Sequence, residues 1–67
     1  MDDLLPKIGD IIRIIDMRDE PRYAGKTGII KFIDNAGQMH GTWGGCAVVP
    51  DIDRYEIIEK KEYKNSD

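Results

Sequence analysis

Sixty-seven residues with thirteen acidic and ten basic side chains, a formal charge of −3, one cysteine and one histidine bound the chain to one small domain. A lone cysteine closes no internal disulfide, and one Cys with one His falls short of the four ligands of a closed structural zinc site. The start lacks the basic and apolar regions of a signal peptide and no long apolar run follows, so no membrane segment is expected and the cytoplasm is the expected location.

Residues 1–7 read as an N-terminal arm, 8–58 as the folded body and 59–67 as a charged tail that frays or forms a weak helical turn. Within the body, Ile11-Ile12-Arg13-Ile14-Ile15 follows Gly9-Asp10 and reads as a first strand. Asp16 to Gly25 holds charges, Pro21 and no period, and reads as one long loop. Gly25-Lys26-Thr27-Gly28 leads into a second strand, Ile29 to Ile33. Asp34-Asn35-Ala36-Gly37 is turn chemistry, Gln38 to Trp43 a third strand, and Gly44-Gly45 suits a two-residue hairpin turn. Cys46 to Val49 reads as a fourth strand stopped by Pro50, Pro50 to Asp53 as a turn, and Arg54 to Ile58 as a fifth strand. Helices usually need about ten residues, longer than these runs between breakers.

A tip at Gly44-Gly45 sets Trp43 opposite Cys46, Gly41 opposite Val48 and His40 opposite Val49. The preceding turn sets Phe32 opposite Met39, Ile30 opposite Gly41 and Lys31 opposite His40. Directly opposed residues share a face. The expected core is therefore Ile30, Phe32, Met39, Trp43, Cys46 and Val48, joined by Ile12, Ile14, Tyr55 and Ile57. Gly41 on that face implies a bend or the close approach of Trp43 or another strand. Ile11, Ile15, Ile29, Ile33, Val49 and Ile58 have the opposite parity, and a chain this short is expected to pack them under the loop or the termini.

Catalytic and metal sites find little support. Cys46 inward and His40 outward cannot form a nucleophile–base pair, which needs hydrogen-bond reach. Asp16, Asp19 and Glu20 in one loop and Asp51 and Asp53 in another lack the spacing of a calcium loop, and Asp51 and Asp53 suit turn hydrogen bonds. Gly25-x-x-Gly28 opens no helix and is no phosphate loop. No enzyme activity, cofactor or metal is expected. Charge is uneven: Ile11 to Lys31 carries five basic and three acidic residues, the remainder five and ten. The basic loop, with Arg18, Arg22, Tyr23 and Lys26, and its neighbours Arg13, Lys31 and His40 are the candidate partner-binding residues.

Gly9-Asp10-Ile11-Ile12-Arg13-Ile14-Ile15, then Gly25-Lys26-Thr27-Gly28-Ile29-Ile30, resembles the opening of an SH3-like barrel of the KOW type. Asp34-Asn35-Ala36-Gly37-Gln38-Met39-His40 with Trp43, Gly45, Pro50, Asp53, Tyr55 and Ile57-Ile58 resembles a small family of unknown function carried by bacteria, phages and other mobile elements. Gly41 departs from its usual Val, Asp51 from its usual Gly, and Gly44-Gly45 shortens its usual turn. The resemblance implies a five-stranded SH3-like β-barrel and a non-enzymatic module that binds a host protein. Inhibition of a defence nuclease, of the anti-CRISPR kind, is one concrete version. The rival expectations are a KOW-like nucleic-acid binder using Arg13, Arg18, Arg22 and Lys26, and a homodimer through Ile11, Ile29 and Ile33.

Overall fold

Ile12 and Ile14 are fully buried while Arg13 between them is exposed, the period-two signature of a strand with one face on the core. The same alternation sets Gly28 and Ile30 inward and Thr27, Ile29 and Lys31 outward. The computed structural model describes residues 5–61. Its strands are β1 (Ile11–Asp16), β2 (Thr27–Ile33), β3 (Met39–Gly41) and β4 (Arg54–Glu59). They form one antiparallel four-stranded sheet in the order β3-β2-β1-β4. A single 3-10 turn, Pro21–Tyr23, interrupts the long loop, started by the fixed backbone angle of its proline. The chain is thus a small all-β domain, and no strand pairing closes the sheet into a barrel among the described residues. The expected terminal fraying lies largely outside the described residues.

Two expectations about the hairpins need correction. The fourth expected strand, Cys46 to Val49, is reduced to one bridge in which Met39 and Val48 exchange both backbone hydrogen bonds at 2.8 Å. Gly44-Gly45 is therefore not a two-residue hairpin tip; the connection is a wide loop. Val48 meets Met39 rather than Gly41, a slip of two residues that leaves both side chains facing inward, as expected. The second correction has the opposite consequence. Ile30 pairs with Gly41, as expected, but the register then shifts, with Phe32 opposite His40 and Ile33 opposite Met39. Lys31 is the inserted residue of a bulge, so it does not face His40. Phe32 is turned out of the core to 55% exposure, and Ile33 packs against the core in its place.

The core comprises Ile12, Ile14, Met17, Tyr23, Ile30, Met39, Trp43 and Val48, with Ile33, Cys46, Tyr55 and Ile57 packed against it. Trp43 explains the mid-strand glycines. A Cβ on Gly41 would lie 2.4 Å from Trp43 Cζ3, and one on Gly28 would lie 2.9 Å from Trp43 Cε3. The indole packs against bare backbone on two strands, and its Nε1–H donates to the Cys46 carbonyl at 2.8 Å. Met17 and Tyr23 come from the long loop and are buried in the core, with the Tyr23 ring against Gly44. Asp53, also buried, accepts from the Arg18 amide at 2.9 Å and the Val49 amide at 2.8 Å. It performs the turn-bonding role expected of it and ties that turn to the long loop.

Candidate functional site

The outward face of β1 and β2 remains once the core is filled. Ile11 on β1 stands opposite Ile29 on β2, an aliphatic pair on the solvent side of the sheet. Ile29 is 37% exposed and Ile58, at the β4 irregularity beside Ile11, is 45% exposed. Ile15, Ile29 and Ile58 were expected to be covered by loop or termini; they are exposed, and the long loop folds toward the core side through Met17 and Tyr23. Ile33 of the same expected set is drawn inward by the bulge, and Ile11 and Val49 are half-buried. A groove of about 720 Å³ lies over the face, lined by Gly9, Ile11, Ile29, Lys31, Glu59 and two further lysines, Lys60 and Lys61.

One end of this groove is built by a buried carboxylate. Gly9 takes a positive φ of 101°, which lets both it and Asp10 oppose Ile30: the Gly9 amide donates to the Ile30 carbonyl and the Ile30 amide to that of Asp10. Asp10 is thereby turned inward, 1% exposed. Its Oδ2 accepts from the Lys7 amide at 2.8 Å and the Lys60 ammonium at 3.0 Å, and its Oδ1 from the Lys61 amide at 2.8 Å. Lys60 Nζ also donates to the Leu5 carbonyl at 2.6 Å. Burial works to raise the Asp10 pKa, but the bonds from Lys61, Lys60 and Lys7 outweigh it and hold the carboxyl below its ordinary value. This clasp fixes Lys60 and Lys61 at the Gly9 end of the shelf.

The residues singled out from sequence are not gathered into one site. Arg13 is on the outer face, paired with Glu56 at 2.6 Å. Arg22 pairs with Glu20 at 3.3 Å, and Arg22 and Lys26 both approach the Tyr23 ring, at 5.9 and 5.5 Å. Tyr23 itself is buried and Arg18 is exposed. Lys31 lines the groove. His40 stands beside Phe32, ring centroids 5.6 Å apart, with its Nε2 3.0 Å from Asp34 Oδ2. The His40 bond, then the Gln38 amide, hold the Asp34 carboxyl below its usual range against a smaller burial effect, with the Ala36 amide adding to them. Cys46 is half-buried and its carbonyl serves Trp43. No cluster of three or more His, Cys, Asp or Glu fit for a metal ion occurs among the described residues. No helix among them is long and apolar enough to cross a membrane.

Sequence reasoning missed Asp10, Lys60, Lys61 and the outward Phe32. The visible signal was Gly9-Asp10 at a strand entry, where a glycine can start a bulge. Comparison with protein-family models, with curated proteins and with solved structures returns no match.

Proposed function

We propose that this chain is a non-enzymatic binding module of SH3-like type that engages a protein partner through the outer face of β1 and β2. The SH3-like reading is supported by the strand order, with β1 between β2 and the last strand, and by the long tethered loop after β1. The Met39–Val48 bridge sits where a fifth strand would pair. The separate settings of the lone histidine, against Asp34, and the lone cysteine, beside Trp43, support a role without nucleophilic chemistry.

One observation carries the choice of face: the exposure of Ile29 and Ile58, with Ile11 half-buried beside them, on a chain that has little apolar surface to spare. The basic loop is a weaker candidate. Two of its cations stack against a buried tyrosine and one of those pairs with a glutamate. A defence nuclease carried against by a mobile element is a narrower version, resting on the acidic surplus outside residues 11–31 and on resemblance.

The test is capture of a partner from lysate, followed by affinity measurements with purified variants. Ile29→Asp is expected to abolish binding with circular dichroism and melting unchanged, whereas Arg18→Glu with Arg22→Glu is expected to leave it intact. The reverse pattern, or micromolar binding to RNA or duplex DNA that falls steeply with salt, overturns the reading.

A further inference from the structure

Resting on that reading, we infer that the groove takes an extended protein segment in which an apolar residue lies within two positions of an acidic one. The topology dictates this pattern. Ile11 and Ile29 are cross-strand partners, so their side chains stand about 5 Å apart and form one aliphatic shelf. All the cationic lining lies on one side of that shelf. Because β2 runs antiparallel to β1, Lys31, two residues beyond Ile29 and about 7 Å along the strand, falls at the Gly9 end, next to the Ile30 that Gly9 and Asp10 both oppose. Because β4 also runs antiparallel to β1, Lys60 and Lys61 follow Glu59 past Ile11 toward the same end. The Lys61 stem lies across Gly9, where a Cβ would come within 2.5 Å of its Cδ.

The lining thus holds three lysines against Glu59. Asp10 engages Lys60, and Lys31 is an exposed cation of the lining two residues from Ile29. An anion is favoured at the Gly9 end and an apolar side chain at the Ile11–Ile29 end. A single nucleic-acid strand is less well served: the shelf is aliphatic, and no ring among the described residues lines the groove for a base to stack on. The groove volume falls within the roughly 300–1,000 Å³ of ligand clefts, about 720 Å³. In an extended peptide, residues i and i+2 face one side about 7 Å apart, matching the step from shelf to lysine.

The experiment pans a displayed library of random peptides against the whole chain and remeasures the selected peptides by fluorescence anisotropy. Fluorescein-labelled oligo-dT and a short DNA duplex serve as competing probes. The expected consensus places Asp or Glu within two positions of Leu, Ile or Phe. Ile29→Asp should weaken selected peptides more than about tenfold, and Lys31→Glu about three- to tenfold. Peptides that depend on Ile29 but show no acidic bias and ignore Lys31→Glu overturn this inference while leaving the protein-binding face standing. Displacement of the peptides by oligo-dT, or selection of nothing that depends on Ile29, overturns both.

Discussion

Adding one methyl group at Gly41 tests how the core is organised. The Cβ of Gly41→Ala would lie 2.3 Å from the Ile29 carbonyl oxygen and 2.4 Å from Trp43 Cζ3, so something must move by about 1 Å. The carbonyl cannot move freely, because it accepts from the Thr42 amide at 3.1 Å while the Ile29 amide donates to Thr42 Oγ1 at 3.0 Å. The indole must yield instead. It is 5% exposed, and its displacement strains the bond from its Nε1–H to the Cys46 carbonyl. Overpacking costs about 1–3 kcal/mol and a lost hydrogen bond about 0.5–1.5. Reduced unfolded-state entropy returns about 0.4–1 kcal/mol. The net expectation is a loss of about 0.5–4 kcal/mol, centred on about 2, against the roughly 3–10 kcal/mol available to a chain of this length.

The assay is urea unfolding followed by the fluorescence of Trp43, the only tryptophan. In thermal melts the central loss of about 2 kcal/mol should lower the melting temperature by roughly 8–16 °C. Gly45→Ala is the control, since nothing lies within 4 Å of its Cβ position and its φ is not positive. It should stay within about 0.5 kcal/mol of the parent. A Gly41→Ala chain as stable as the Gly45→Ala chain, with unchanged emission, refutes the packing of indole on bare backbone.

Three further outcomes follow from the same interactions. Phe32→Ser should change stability by less than about 1 kcal/mol, where a core phenylalanine would cost about 3–5; thermal melts distinguish the two. Asp53→Ala strips the acceptor from the Arg18 and Val49 amides and should cost about 2–4 kcal/mol, with those two amides losing hydrogen-exchange protection first. Asp10 has a folded pKa below its unfolded value near 3.9, so its contribution is complete above that value and disappears as pH falls through the folded pKa. Urea midpoints should hold from neutral pH down to about 5 and drop below about 4, and Asp10→Asn should be less stable at neutral pH with a shallower acid limb; an identical acid limb in both chains refutes the clasp.

What the sequence disclosed follows the arithmetic of the pleat. A strand repeats every two residues, so the two-residue slip of Val48 from Gly41 to Met39 changed the hairpin without changing which side chains face inward. The inward set Ile12, Ile14, Ile30, Met39, Trp43 and Val48 was therefore legible although the turn was wrong. The bulge at Lys31 is a one-residue event, and it reversed the face of everything after it on β2: Phe32 went out and Ile33 came in. Nothing in Ile29-Ile30-Lys31-Phe32-Ile33 marks that insertion, since either residue of the final pair could fill the space. Met17 was hidden for another reason. An aperiodic loop has no face to read, and one apolar residue among Asp16, Arg18, Asp19, Glu20 and Arg22 looks solvated until the loop is seen to fold back. Packing of Tyr23 on the body to tie the loop down was one of two readings the sequence allowed. Asp10 and Asp53 were least legible as anchors, because their partners lie 50 and 35 residues away along the chain. The groove inherits the last of these difficulties. Its shelf and its Lys31 are set by strand parity, and its lysine end by the Asp10 clasp. Lys31 was read in advance as a candidate partner-binding residue and the shelf as the spare isoleucines that a small core was expected to absorb; the lysine end was not legible.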